Sequence, residues 1–294
     1  MRHIRLYRAV DEVARRSSIR AAASVLAISP SALNRQILGL EEDLGVELFE
    51  RLPRGVRLST AGEIYIRSFR LHLNELDRAA AQIADLSGLR TGAVRVGVGP
   101  ELSAYFAPSV IGEFRSSFPG VSVETVVTGC DEASAALNNF DVDFVVAANP
   151  ILDGSLEIEH AESYPIACLG AELRRGERPL RLSDLQDKAL ICHRNGSGLR
   201  RALDAAFAAK RIEPRYSIAV DLATADAIAH NPQTTLLTLE LDIDPATAER
   251  LGVTVASLRP DDAAEVSVQI LKLRARRTPV IAARLIAAFA RRLI

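Results

Sequence analysis

The chain has 294 residues, 48% hydrophobic and 25% charged, with a formal net charge of −1. Such proportions exclude a disordered, collagenous or mucin-like chain, and at ~150 residues per domain the length fits two domains or three small ones. Residues 1–60 hold ten basic against seven acidic groups (+3) and residues 91–294 hold 22 against 26 (−4), so an anionic partner is expected at one end only. That +3 is also within ordinary scatter, and arginine dominates throughout: only Lys188, Lys210 and Lys272 are lysines.

Residues 4–15 set Ile4, Tyr7, Val10, Val13 and Ala14 at helical spacing, which predicts an amphipathic helix. Ser17 and Ser18 interrupt it. Either can cap a second, shorter helix bearing Ile19, Ala22, Ala23 and Leu26, whose alanines allow close approach by a neighbour. Ala27-Ile28-Ser29-Pro30 makes a tight break: Ser29 is a natural N-cap, and Pro30 takes the first helical position, where its missing N–H costs nothing. The third helix, Pro30 to Leu44, places Leu33, Ile37, Leu40 and Leu44 on a buried stripe and Ser31, Asn34, Arg35 and Leu38 on the opposite face. Gly45 supplies a left-handed stop. Helix, short helix, turn and polar-faced helix form a helix-turn-helix pattern. Leu48–Leu58 then reads as two short strands around Pro53-Arg54-Gly55, a wing with arginines at its tip.

Thr60-Ala61-Gly62-Glu63 matches a capping box and opens a helix predicted to reach about Leu86. Tyr65, Phe69, His72, Leu76, Ala79, Ile83 and Leu86 recur in alternating steps of four and three, a heptad seam with His72 as its tolerated polar member. At ~1.5 Å per residue this helix is roughly 40 Å long. The expected partner for its seam is the same helix of a second chain; the competing reading is a long helix lying on its own domain. Ser87–Gly92 is the predicted domain boundary.

Beyond it the texture changes. Strands are expected at 94–98, 121–127, 142–147, 166–169, 189–192, 218–220, 235–239 and 266–273, and helices at 103–117, 131–138, 198–210, before His230 and at 280–293. This alternation implies a parallel or mixed sheet covered on both faces, and about 200 residues of it fit two small α/β lobes better than one. No fixed-period repeat or low-complexity tract is found.

The stretch Ser29-x-Ser31-Ala32-Leu33-x-Arg35-Gln36-Ile37, followed by Leu40-Glu41-Glu42-Asp43-Leu44-Gly45-x-x-Leu48-Phe49-x-Arg51 and by Ser59-Thr60-Ala61-Gly62, resembles the N-terminal signature of LysR-type transcriptional regulators. Gly92-x-Val94-Arg95-Val96-Gly97, Phe114-x-x-x-Phe118-Pro119-x-Val121, Asp141-x-Asp143-Phe144-Val145-Val146 and Asn195-Gly196-Ser197-Gly198-Leu199-Arg200 resemble, more loosely, that family's ligand-sensing domain. The resemblance implies a multi-domain chain: an all-α winged helix-turn-helix (1–59), a long linker and dimerisation helix (60–90) and an effector-binding domain (91–294). That last domain would have the two-lobed α/β fold of periplasmic solute-binding proteins, with lobe I at 91–162 and 267–294 and lobe II at 163–266. It also implies a homodimer within a tetramer. The chain departs from the pattern at Pro30, where the family often has Gln, at Asn34, where it often has Ser, and at His230-Asn231-Pro232-Gln233, where it often has Gly-x-Gly.

Two sites follow. A helix of ~10–12 Å diameter fits the major groove of duplex DNA. With the motif in place, Asn34 is expected to read an adenine edge, Arg35 a guanine edge or phosphate, and Ser29 and Ser31 to approach phosphate at the helix N-terminus. Arg54 at the wing tip is expected in a minor groove, with Arg51 and Arg57 on flanking backbone. The second site is a cleft at strand ends, formed by Pro100, Glu101, Leu102 and Ser103, by Gly129 and Cys130, by Asn195 and Ser197, and by Thr224. Helix N-termini there favour a small polar, anionic metabolite, although Glu101 would repel it unless it points away. For any one of these residues, a plain turn or cap role is as strong a reading.

An enzyme is not expected. Cys192 and His193, adjacent on a strand, point to opposite faces, and no GxSxG, HExxH, Walker A or complete Rossmann fingerprint is present. The histidines, at 3, 72, 160, 193 and 230, show no metal-ligand spacing, so neither a metal nor a cofactor is expected. Cys168 and Cys192 read as buried small hydrophobes, and Cys130 is the cysteine placed for a redox role. Three cysteines make no disulfide framework, the N-terminus has no secretory core and no ~18-residue apolar window exists, so the expectation is a cytoplasmic protein without a membrane. The alternative is an α/β solute-binding or enzymatic protein whose N-terminal bundle only oligomerises.

Overall fold

The computed structural model describes residues 2–53, 55–86, 92–171, 173, 179–220, 228, 232–274 and 276–294, with backbone only at 2–5, 71, 73–75, 77–78 and 80–86. Arg54, Thr224 and the segment around His230 and Asn231 therefore lie outside the described residues, as do Ser87–Thr91 and the side chains of Ile83 and Leu86. The chain divides into two compact units, Met1–Ala80 and Ala81–Ile294.

In the first unit, α1 (Arg2–Arg16), α2 (Ile19–Val25) and α3 (Pro30–Leu44) are followed by the antiparallel pair β1 (Phe49–Leu52) and β2 (Gly55–Leu58), and α4 (Thr60–Leu86) begins. Val10, Val13, Ala22, Ala23, Leu33, Ile37, Leu48, Phe49 and Ile66 share one core. The starts and stops are chemical. Ser18 accepts the Ala21 N–H and Ser29 the Ala32 N–H, and Gly45 ends α3 at φ 70°. Each such cap contributes roughly 1 kcal/mol. Leu44, expected on the buried stripe, is instead 40% exposed. The helix stops beside it, and Leu48 and Phe49 close that part of the core. The wing is fastened to the α1–α2 turn, where the Val56 N–H donates to Ser17 O (2.9 Å). A Cβ on Gly55 would sit 2.3 Å from that same oxygen, so only glycine fits.

The second unit has two five-stranded sheets. The first, in the order β4-β3-β5-β12-β6, comprises β3 (Gly92–Val98), β4 (Val121–Val127), β5 (Phe144–Ala148), β6 (Leu156–Tyr164) and β12 (Val266–Leu273). β3 runs parallel to β4 and β5, and β12 antiparallel to β5 and β6. The second, in the order β11-β7-β10-β8-β9, comprises β7 (Ile166–Gly170), β8 (Ala189–His193), β9 (Arg215–Val220), β10 (Thr234–Leu239) and β11 (Thr254–Ser257). Helices described in this unit are α5 (Phe106–Ser117), α6 (Ala133–Asn138), α7 (Gly198–Lys210), α8 (Pro245–Arg250) and α9 (Val280–Leu293). One apolar cluster runs through both lobes, from Val96, Phe106, Phe144 and Phe289 to Cys168, Cys192, Leu203 and Phe207. The chain passes between sheets at Tyr164/Ile166 and returns at Val266, so the first sheet extends slightly beyond the lobe limits expected at 162 and 267.

Three elements escaped the sequence reading: β6, β11 and α8. β6 is an edge strand whose residues are mostly exposed or half-exposed, so no apolar run announces it. β11 and α8 are only four and six residues long, too short for a period to register.

The first turn of α7 lies against the end of β5: a Cβ on Gly198 would come within 1.7 Å of Ala148 O. Overpacking of this kind costs about 1–3 kcal/mol or more. Gly198→Ala is therefore expected to lower the denaturant midpoint of the full chain, followed by far-ultraviolet circular dichroism; an unchanged midpoint would refute this close approach.

Candidate functional site

The outward face of α3 presents Ser31, Arg35 and Gln36, all exposed. Ser29 caps the helix and its Oγ lies 3.3 Å from Ser31 Oγ, so two hydroxyls sit beside the first-turn N–H groups. Asn34 departs from expectation. It is half-buried, and its Oδ1 is buried without a hydrogen-bond partner. A bidentate adenine contact needs that oxygen, so Asn34 must change rotamer before it can make one. Gln36, which the sequence reading did not single out, presents an amide outward. Its place beside Ile37 masked it, because a neighbour of the buried stripe is exposed only at the stripe's edge.

The face is rigid because its back is anchored. Glu41, on the buried side of α3, accepts the N–H groups of Leu48 (2.8 Å) and Phe49 (3.0 Å) through one oxygen, fixing the start of the wing. Nothing in the hydrophobic period marks Glu41, since an acidic residue at a buried position reads as noise. In the wing, Arg51 is exposed. Arg57 pairs across the strands with Glu50 (Nη2–Oε2 2.6 Å), which raises its pKa through that hydrogen bond. The pair is exposed and engages Nε and Nη2 of Arg57, and it does not bar the phosphate contact expected of this side chain.

The long helix also differs from the expected seam. Tyr65 and Phe69 pack against Tyr7 of α1, with ring centroids 6.0 and 4.2 Å apart. Arg70 of α4, 8% exposed, bonds Asp11 of α1 (2.6 Å). The head of the seam is therefore covered by its own unit. His72, Leu76 and Ala79 are exposed, and His72 Nδ1 lies 2.7 Å from Ser68 O, on its own helix.

In the second unit a cavity of about 380 Å³ opens between the lobes. Pro100, Val127, Gly129, Asp131 and Glu132 line it from the first lobe, and Arg194, Asn195, Gly196 and Val220 from the second. Of the residues expected here, Pro100, Gly129 and Asn195 line it. Leu102 is fully buried in the core. Ser103 turns its hydroxyl to Pro100 O (2.6 Å). Cys130 does not line it: its side chain is buried, and burial raises the thiol pKa. Cys168 and Cys192 are fully buried, and desolvation pushes Cys192 up to about 12.

Glu101 and Ser197 lie beneath the cavity, not in it. Glu101 is 1% exposed; it accepts the Ala148 N–H (3.0 Å) and the Ser197 hydroxyl (2.6 Å), while Ser197 caps α7. Burial raises the Glu101 pKa against those two hydrogen bonds. Its two oxygens are turned into those bonds and Glu101 does not line the cavity. The expected anion donors are also engaged: the Gly129 N–H donates to Glu132 (3.0 Å) and the Cys130 N–H to Gly196 O (2.8 Å). Asp131 and Glu132 stand across from Arg194, so the walls carry mixed charge. Among the described residues, no cluster of His, Cys, Asp and Glu fit to hold a metal is present, and no helix is long and apolar enough to cross a membrane.

Comparisons with known proteins agree with this architecture. Residues 4–63 match the bacterial regulatory helix-turn-helix protein, lysR family, and residues 87–230 the LysR substrate binding domain. The transcriptional activator CmpR of Synechocystis sp. is 27% identical over 219 residues, covering 74% of this chain and 71% of the relative. The RuBisCO operon transcriptional regulator of Allochromatium vinosum is 29% identical over 209 residues, 69% of this chain and 68% of its own. Among solved structures, full-length CbnR complexed with its target DNA superposes at a TM-score of 0.65 with 20% identity, covering 98% of this chain and 99% of that one. A full-length OxyR variant from Pseudomonas aeruginosa gives 0.67 with 19% identity over 99% and 94%. At those identities the structural likeness shows the fold.

Removing the Glu41 carboxylate leaves two buried N–H groups without an acceptor, at about 1–3 kcal/mol each. Glu41→Ala is expected to lower the melting temperature by several degrees, with Glu41→Gln losing less because its amide oxygen still accepts. Equal melting of all three proteins in calorimetry would show that the wing does not depend on this side chain.

Proposed function

Because the chain belongs to the LysR family of transcriptional regulators, we propose that it grips operator DNA with α3 and the wing and that occupancy of its cleft by a small polar metabolite alters that grip. The carrying observation is the row Ser31, Arg35 and Gln36 on a helix whose opposite side is held by Leu33, Ile37 and Glu41. Arg35 offers a bidentate donor for guanine or a charge for phosphate, and Ser29 and Ser31 place hydroxyls and helix-end N–H groups near backbone phosphate. Arg51, Arg54 and Arg57 extend the footprint along the wing.

In this reading, residues 1–59 bind DNA, 60–90 link and dimerise, and 91–294 sense the metabolite. The exposed His72, Leu76 and Ala79 meet the same helix of a second copy, and two dimers make a tetramer. Pro100, Gly129 and Asn195 contact the metabolite. Arg194 recognises an acid group on it, while Asp131 and Glu132 disfavour a polyanion. The ligand acts only by binding one arrangement of the chains more tightly than another. The protein is read as cytoplasmic and without catalytic activity.

Fluorescence anisotropy with a fragment of the protein's own promoter tests the DNA contacts. Arg35→Ala is expected to weaken binding by about 1–3 kcal/mol, roughly ten- to a hundredfold, and to flatten the salt dependence by about one ion. If Arg35→Ala binds as tightly as the parent at every salt concentration, α3 is not the reading helix. Leu76→Asp is expected to shift sedimentation toward smaller species; an unchanged distribution would place the dimer contact elsewhere.

A further inference from the structure

The outward face of α3 is not polar throughout. At 3.6 residues per turn, Ser31, Arg35, Leu38, Gly39 and Glu42 fall within a sector of about 100°, and all five are exposed. The buried Leu33, Ile37 and Leu40 lie on the opposite side. Leu38, one turn beyond Arg35, is 47% exposed. A lone exposed leucine is ordinary, but its neighbour is not. A Cβ placed on Gly39 would meet no atom of the described residues within 4 Å, and the backbone there is not left-handed. Neither crowding nor conformation inside the described chain asks for glycine at this position, and glycine in a helix interior is less stable than alanine. The helix thus gives up stability to keep a strip of bare backbone beside an exposed apolar side chain.

That strip is continuous with Ser31 and Arg35, so the body that covers it is the one those residues meet, duplex DNA. Glu42, at the end of the sector, repels phosphate and suits this end of the face to base edges. In the major groove, base pairs present hydrogen-bond donors, acceptors and one apolar group, the C5 methyl of thymine. Leucine has no hydrogen-bonding capacity, and that methyl is the base feature complementary to it.

We propose that Leu38 is a specificity-determining contact that takes the C5 methyl of a thymine, and that Gly39 lets α3 lie deep enough in the groove for it to do so. Three residues separate Leu38 from Arg35, ~4.5 Å along the helix axis at ~1.5 Å per residue. At ~3.4 Å per base pair, the thymine lies within about two base pairs of the contact made by Arg35. This assignment rests on α3 being the helix that reads DNA, and it adds a base that the helix selects.

Fluorescence anisotropy of the full chain tests it, using a fragment of the protein's own promoter amplified with either thymidine or deoxyuridine triphosphate, since uracil lacks only the methyl. The parent is expected to bind the uracil fragment roughly fourfold more weakly for each copy of α3 that takes a methyl, the effect of burying about one such group. Leu38→Ala is expected to lose most of that preference. Gly39→Ala is expected to melt no lower than the parent, because alanine favours the helix, and yet to bind the thymine fragment several-fold more weakly. The proposal is overturned if parent and Leu38→Ala show the same ratio of thymine to uracil affinity, or if Gly39→Ala binds as the parent does or melts below it. It is likewise overturned if Leu38→Ala changes the sedimentation of the DNA-free protein, which would show a second copy covering this side chain. Arg35→Ala, measured alongside, separates the two levels. If it binds as the parent does, α3 is not the reading helix; if it weakens binding while Leu38→Ala leaves the ratio unchanged, only the thymine contact fails.

Discussion

A carboxylate can be taken out of water only where donors replace the water it loses. Glu101 meets that condition where the two lobes touch: the Ala148 N–H from the first lobe and the Ser197 hydroxyl from the second converge on its two oxygens. Much else is arranged around this point. Ser197 caps α7, whose first residue must be glycine to pass Ala148 O. One residue earlier, Gly196 O receives the Cys130 N–H, and Gly129 and Gly196 form facing walls of the cavity. The cleft therefore has a floor built from interlobe hydrogen bonds, so a molecule entering it touches the same backbone that joins the lobes.

The first unit uses the same device at a smaller scale. Glu41 is buried on α3 and gathers two N–H groups from the start of the wing, while Asp11 on α1 takes Arg70 of α4 and also Arg15. These polar fasteners supplement the shared apolar core of the unit. A DNA-reading helix needs a presentation that does not shift when it meets the groove. The Glu41 bonds lie behind α3, and Ser31, Arg35 and Gln36 are exposed in front.

Helix positions, caps and stops in the first unit were legible because each is a local event: an apolar stripe at helical period, Ser18 and Ser29 as caps, Gly45 as a left-handed stop. The same was true of the buried central strands of the second unit, where short apolar runs such as Phe144–Ala148 and Ile166–Leu169 are too short for a helix and are bounded by turn residues. β6 was not legible, because an edge strand facing solvent needs no apolar pattern. Of the candidate site residues, Pro100, Gly129 and Asn195 could be placed from their position after strands. Leu102, Glu101 and Ser197 could not, because whether a residue one step further along a turn faces cavity or core depends on how the turn is oriented by the opposite lobe.

By itself the sequence determined the order and type of most elements, β6, β11 and α8 excepted, the winged helix-turn-helix spacing and the exposed Arg35, since these depend on contacts between residues near one another in the chain. The tertiary structure alone decided which polar groups were already spent. Arg57 with Glu50, the Gly129 N–H with Glu132 and Asp242 with the start of α5 are partnerships that no local pattern reveals. Which of a group's donors or acceptors are taken depends on what lies within about 3 Å of it, and that neighbour is set by the folding of the whole chain.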